Sequence, residues 1–360
     1  LFYEAFITKK YKLAFPFLFI LVPLIYSYYI YFSYQEKGKT VEIVVVQPNF
    51  DVYNQRTVRN PVTGEAATDY IPYQEQIGIY IDLVKKISTD STAFVLFPES
   101  SLGSSHVQED VFFQYAQMQR LYRELVEKKE THLVAGISTI LFYYKPEEMT
   151  FTSRKVSKNG EEYAYDSFNT AVHLSNDAKP AFYHKSKLVV GAENNPFQSM
   201  FGETFGTFIF KDLVGSLGRQ STRDVFENKN GIKIAPAICW ESVFGEFMGG
   251  FVKEGANILT VITNDGWWAD SAGPRQHLAF SSLRALENRR SLARAANTGI
   301  SCFIDQRGKI IKQSKYGERI ALRHSLHTNE KITFYTKYGD GGVDLSPIAD
   351  LMKSEVYDLA

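Results

Sequence analysis

The chain has 360 residues, 44% of them hydrophobic and 22% charged, with 40 basic residues balancing 40 acidic ones. That composition excludes a disordered chain, and the neutral balance argues against a nucleic-acid binder that works through a broad basic field. Two cysteines are too few for a disulfide scaffold or a cysteine-rich metal site, and the seven histidines are scattered without metal-ligand spacing.

Residue 1 is Leu rather than Met, which predicts a processed chain or a piece of a longer one. No charged residue occurs from Leu13 to Tyr34. As a helix at ~1.5 Å per residue that run reaches about 33 Å, enough for a hydrocarbon core. Tyr26, Tyr28, Tyr29, Tyr31 and Tyr34 crowd one end, as an interfacial belt would. A signal peptide would be shorter and end in small residues, and Pro16 and Pro23 suit a membrane helix better than a soluble one. Residues 1–36 are therefore expected to hold a transmembrane helix with a short cytoplasmic flank. Lys9, Lys10 and Lys12 put that flank inside and the rest of the chain outside.

Past Thr40 the texture changes. Val41–Asn49, Ala93–Ser100, His132–Thr139, Phe168–Asn176, Ile232–Trp240 and Ala256–Asp265 read as strands, several of them apolar runs stopped by Pro. Tyr73–Ser88 and Val111–Lys129 have helical spacing, and Pro274–Ala296 reads as one long helix with Pro at its first position. Gly299–Ile311 reads as a hairpin turning at Gln306–Gly308. Strands alternating with helices predict an α/β domain with buried sheets and helices outside, running as one unit over 41–338. Two stretches look like lids or mobile loops: Tyr143–Asp166, and Gly191–Arg223 with Phe197, Met200, Phe201, Phe205, Phe208 and Phe210. Those phenylalanines either dip into lipid or cap the core.

Three positions can carry chemistry. Cys239, in AICWES, sits at a strand end, where a nucleophile is held rigidly and reached from one side. A thiol of pKa ~8.5 needs a base or cation to attack at neutral pH. Taken alone it is more often a structural thiol, and a disulfide to Cys302 is a further option. Glu99, in LFPES, ends another strand, where desolvation would raise its basicity; alone it would be a solvated turn residue. Lys185 and Lys187, in YHKSKLVVGAEN, would lower a thiol pKa or stabilise an oxyanion, against the plainer reading of surface charge. His277 reads as a satisfied structural group. Arg284, Arg289, Arg290 and Arg294 are placed on the long helix, where they either contact headgroups or, the plainer reading, pair with acids such as Glu287. No glycine-rich phosphate loop follows a strand, so no nucleotide cofactor is expected, and the scattered histidines give no metal site.

In this order the three positions resemble the nitrilase superfamily of carbon–nitrogen hydrolases. The resemblance rests on Pro98–Glu99, on Tyr183-His184-Lys185 with Leu188 and Glu193, and on Cys239-Trp240-Glu241. It implies an α-β-β-α sandwich, here preceded by a transmembrane helix. It also implies a triad of Glu99, Lys185 and Cys239, with Glu193, Trp240 and Glu241 in support. Within the superfamily the chain is most similar to the apolipoprotein N-acyltransferase family. The membrane-like run leading into VEIVVVQPN, the YHKSKLVVGAENNPF segment, the stretch from Asn264 to Ser301 and TFYTKYGD (Thr333–Asp340) carry that likeness. Val190 departs from the family's Pro, and 339–360 form an atypical tail. In that tail Ser346–Pro347 would start an amphipathic helix with Ile348, Leu351, Met352, Val356 and Leu359 on one face.

The likeness implies acyl transfer from a membrane phospholipid, through a thioester on Cys239, to the terminal amine of a diacylglyceryl-cysteine lipoprotein. Lys185 and the Trp240 N–H would hold the oxyanion. It also implies a bacterial inner membrane location with the catalytic domain outside, and no cofactor. The nearest rival is a membrane-anchored amidase or nitrilase in which water takes the acyl group. Trp267–Trp268 leans towards a lipid substrate, though large aromatics usually pack inside. A binding domain without catalysis would form no acyl-enzyme.

Overall fold

The computed structural model describes residues 14–61, 63–127, 130–158, 161–176, 179–194 and 216–339. The first element, α1 (Ala14–Ser33), carries no acidic residue in its first turn and no basic one in its last. From Phe17 on its large side chains are mostly exposed, with Phe19 68% and Phe32 70% exposed. Just past its end, Tyr34 Oη donates to Gln306 Oε1 at 2.5 Å, and the Arg289 guanidinium lies 4.6 Å over the Tyr34 ring. Among the described residues no helix is long and apolar enough to cross a membrane. The expected span is thus an exposed apolar helix in the described part of the chain.

Strand β1 (Thr40–Gln47) explains the first sheet. Val41, Ile43 and Val45 face one core and Val44 and Val46 another. A strand buried on both faces reads as a continuous β-branched run. It pairs parallel with β2 (Thr92–Leu96), after α2 (Tyr73–Ile87). Next come β3 (Leu102–Gln108), α3 (Ala116–Leu125) and β4 (His132–Tyr143). Then follow β5 (Arg154–Lys158), β6 (Glu161–Leu174) and β7 (Ala181–His184). The second sheet begins with β8 (Phe226–Glu227) and β9 (Lys233–Ile238), then α4 (Gly245–Lys253) and β10 (Ile258–Thr263). It continues through α5 (Ala272–Asn288), β11 (Leu292–Ala296), β12 (Cys302–Ile304) and β13 (Ile310–Gln313). Strand β14 (Ile320–His327) returns to the first sheet, and α6 (Phe334–Tyr338) closes the described chain.

The first sheet runs β14-β1-β2-β4-β6-β5, with β3 beside β4 and β7 beside β6; the second runs β13-β12-β11-β10-β9-β8. Helices α2 and α3 bury Ile77, Tyr80, Met118 and Leu121 against the first sheet. Helix α4 brings Phe247, Met248 and Phe251, and α5 Leu278 and Ala285, into the core of the second. The layers are α-β-β-α, each sheet hiding its apolar faces against a helix layer and the other sheet.

Three expectations are corrected. The long helix does not reach Ala296: α5 stops at Asn288, Arg289 takes a left-handed φ of 47°, and Leu292–Ala296 is a strand. It is parallel to β10 and antiparallel to β12, and those neighbours override the helical preference of LARAA. Val111–Lys129 is broken as well, with a 3-10 turn at Glu109–Gln114 before α3. Within Tyr143–Asp166, read as an irregular lid, β5 pairs antiparallel with an extended β6 to form a hairpin arm. The Phe-rich readings at 197–210 and the helix predicted in the tail lie outside the described residues.

Candidate active site

Glu99 follows Pro98 just beyond the end of β2 and is 6% exposed. Strand β4 presses against this turn at Gly136, where a Cβ would come within 2.5 Å of the Glu99 Cα. Glycine is required for that approach. Glu99 Oε1 accepts from Asn169 Nδ2 at 2.7 Å and from Lys185 Nζ at 3.2 Å. Its Oε2 accepts from the Asn264 N–H at 3.1 Å. One carboxylate thus ties the first sheet to the end of β10 in the second.

Lys185 follows β7, and its own N–H donates to the Asn169 carbonyl at 2.8 Å. The side chain is 1% exposed, and Nζ also donates to Glu193 Oε1 at 2.9 Å. Asn169 Nδ2 reaches that same oxygen at 2.8 Å, and Glu193 Oε2 accepts from the Val189 N–H at 2.8 Å. Burial pulls the Lys185 pKa down, but Glu99, Cys239 and Glu193 outweigh it and raise it above the ordinary lysine value. Lys185 is therefore a fixed cation.

Cys239 stands at the end of β9 with φ 49°, the left-handed region that a non-glycine residue rarely enters. It starts a 3-10 turn, Cys239–Val243, and is 7% exposed. Burial and then Glu99 push its thiol pKa up, while Lys185 and a hydrogen bond with Thr263 oppose them. The net direction is upward, so the resting sulfur holds its proton and attack needs a base. Cys239 and Cys302 are both buried free thiols, and no disulfide joins them.

The supporting residues take different places. Glu241 is 0% exposed and links the lysine segment to the cysteine segment. Its Oε1 accepts from Ser186 N–H at 2.6 Å, Lys187 N–H at 3.2 Å and Tyr183 Oη at 2.8 Å, and its Oε2 from Ile238 N–H at 2.9 Å. Burial pushes its carboxyl up to about 7 against the pull of those donors. Trp240 is half-buried, edge-on to Phe244. Lys187 points away, 5.6 Å over the Phe244 ring, so Lys185 is the lysine of the cluster. Trp267 is 50% and Trp268 38% exposed rather than packed inside.

The predicted strand Phe168–Asn176 also carries Asn169, whose amide bridges both carboxylates and which its mixed polar and apolar sequence does not single out. Nor does the sequence single out Asp265, which holds Arg294 at 2.7 Å and His277 at 3.0 Å. Arg294 sits in β11, fully buried, rather than on the helix surface; Arg284 does pair with Glu287 at 3.2 Å. A cleft of about 590 Å³ opens next to the Gly266 turn, lined by residues such as Asp51, Tyr53, Thr298 and Arg319; Glu99, Lys185 and Cys239 do not line it. A thiol, a carboxylate and a fixed ammonium held together out of water suit nucleophilic attack on a carbonyl, with the developing oxyanion stabilised.

The chain belongs to the carbon-nitrogen hydrolase family, whose model matches residues 65–323. A second model, NAD synthase, matches residues 314–360, overlapping the first at 314–323 and running on through the tail. Among curated relatives, the apolipoprotein N-acyltransferase of Chlorobaculum tepidum is 27% identical over 89% of this chain and 58% of its own length. That of Wigglesworthia glossinidia brevipalpis is 26% identical over 91% of this chain and 59% of its own. The chain thus spans a little over half the length of these relatives. An amidase from Nesterenkonia sp. superposes with a TM-score of 0.51 over 86% of this chain and 97% of its own at 17% identity, a likeness of fold.

Proposed function

We propose that this chain is the catalytic part of a membrane-bound N-acyltransferase of the apolipoprotein type, with its catalytic domain over 41–338. The observation that carries the reading is the buried Glu99–Lys185–Glu193 cluster beside the strained Cys239 turn, in a chain that matches the named acyltransferases over about nine-tenths of its own length. Glu99 takes the thiol proton as Cys239 Sγ attacks the ester carbonyl of a phospholipid. Lys185 Nζ and the Trp240 N–H stabilise the tetrahedral oxyanion. The C–O bond breaks, Glu99 returns the proton to the leaving lysophospholipid, and a thioester remains on Cys239. The α-amine of a diacylglyceryl-cysteine lipoprotein then attacks. Glu99 takes the amine proton, the C–S bond breaks, and the proton goes back to the Cys239 sulfur as the amide forms. Glu193 and Asn169 keep Lys185 and Glu99 in register.

The exposed apolar side chains of α1 support a membrane anchor. Tyr34 under Arg289 at its end has the make-up of an interfacial residue. With the basic residues at 9–12 inside, the domain would face the outer side of a bacterial inner membrane. Mass spectrometry of the Cys239 peptide after incubation with phospholipid tests the reading. An added acyl mass, absent in Cys239→Ala, is expected. N-acylated peptide after adding a diacylglyceryl-cysteine peptide supports the transferase, and free fatty acid alone would favour the hydrolase.

A further inference from the structure

A second buried cluster, which the proposed reaction does not use, meets Cys239 at its backbone carbonyl. The Cys239 carbonyl accepts from Ser242 Oγ at 2.8 Å and lies 3.0 Å from His277 Nε2. Ser242 Oγ is also 2.9 Å from Nε2. The Ser242 hydroxyl has one proton and gives it to the carbonyl, so Nε2 faces two acceptors and must carry a hydrogen; the tautomer is assigned from this network. Behind the ring, Nδ1 is 3.0 Å from Asp265 Oδ1 and 3.0 Å from Arg294 Nη2, and Asp265 and Arg294 are joined at 2.7 Å. Arg294 Nη1 is held by Ser281 Oγ at 3.2 Å, and Asp265 Oδ1 by Thr263 Oγ1 at 2.9 Å. The Trp268 ring stands edge-on to the imidazole. His277 is 3% exposed and has no room to turn.

We infer that His277 is a positioning residue that aims the Trp240 N–H at the oxyanion. The Cys239 carbonyl and the Trp240 N–H belong to one planar trans peptide, and there they point in opposite directions. Fixing the carbonyl on the His277 and Ser242 side turns the N–H to the other. Two hydrogen bonds to the carbonyl also polarise the peptide and strengthen its N–H as a donor. The inference rests on the acyl-enzyme reading above, in which Trp240 N–H is an oxyanion donor.

Two rates on the full chain in detergent separate the roles. One is the p-nitrophenol burst from a p-nitrophenyl acyl ester, which forms an oxyanion. The other is iodoacetamide alkylation of Cys239, mapped by peptide mass, which forms none. In His277→Leu the burst rate should fall about 10²-fold while alkylation stays near its original rate. His277→Gln keeps a donor near the Nε2 position and should recover most of the loss. Ser242→Ala should slow the burst about fivefold, again without slowing alkylation, and tests the same point if His277→Leu does not fold. An unchanged burst in the variants, or equal losses in burst and alkylation, would overturn the inference. If the unsubstituted chain alkylates but gives no burst, the acyl-enzyme reading falls and takes this inference with it.

Discussion

Two buried ionic clusters flank Cys239, and they are built on opposite plans. The one from the first sheet is unbalanced: Glu99 and Glu193 converge on the single ammonium of Lys185. The one from the second is closed: Asp265 and Arg294 are fully buried and pair with each other, with His277 between them and the Cys239 carbonyl. Burying charge is expensive, so a pair that neutralises itself suits a positioning role, while a surplus carboxylate beside a thiol suits the proton transfer proposed above. The comparison predicts that breaking the first cluster should damage chemistry most, while breaking the second should cost stability and leave the reactivity of the Cys239 thiol near normal.

The largest effect is expected from Lys185→Met, which keeps the length of the side chain and removes its charge. Acylation should fall about 10³-fold, the scale of losing a main oxyanion donor. The chain should also lose about 3–5 kcal/mol in urea melts, because two buried carboxylates lose their cation. Full activity in this variant would remove Lys185 from the oxyanion role.

The first cluster was more legible in the sequence than the second. Glu99, Lys185 and Cys239 each sit just past a strand end beside a recognisable signal: Pro98, the Tyr183-His184-Lys185 step, and Trp240-Glu241. Strands such as β1 and β10 announced themselves as unbroken β-branched runs. The second cluster was hidden because Arg294 lies in LARAA, whose residues favour a helix when read locally. Only the pairing of β11 with β10 and β12 makes it a strand and turns Arg294 onto Asp265. The end of α5 was hidden for a related reason, since Arg289 fills a left-handed position that usually announces itself as Gly. The tail is a different case: its sequence is atypical for the family, and the match of 314–360 to NAD synthase gives it a concrete likeness.

The second cluster should break differently. Burial raises the Asp265 pKa, but Arg294 and His277 outweigh it and bring the carboxyl down to about 2. A depressed folded-state pKa gives stability that is full above the unfolded value of about 4 and is lost as pH falls towards about 2. Asp265→Asn should therefore destabilise by about 3 kcal/mol at pH 7, with the gap to the parent chain narrowing between pH 4 and pH 2. At temperatures where the variant stays folded, its alkylation rate at Cys239 should be near normal. A pH-independent gap would mean that Asp265 is not held ionised by Arg294.

Glu241 offers the smallest effect and the opposite sign. It too is fully buried beside Cys239, yet its hydrogen-bond partners are three backbone N–H groups, of Ser186 and Lys187 past β7 and of Ile238 at the end of β9, and the Tyr183 hydroxyl. Neutral donors stabilise a carboxylate less than a guanidinium does, so burial prevails and the pKa rises to about 7. Between the unfolded value of about 4.3 and about 7 the folded chain keeps a proton that the unfolded chain releases, so its stability declines as pH rises through that window. Glu241→Gln has no such slope. It puts an amide NH₂ among three backbone N–H groups that can only donate, so it should destabilise by about 1–3 kcal/mol at pH 4. That difference should shrink as the pH approaches 7, where the parent chain has lost its own advantage. Urea melts of both chains at pH 4, 5.5 and 7 give the answer. A gap that widens with pH would show that the four donors, and not burial, decide the charge of Glu241.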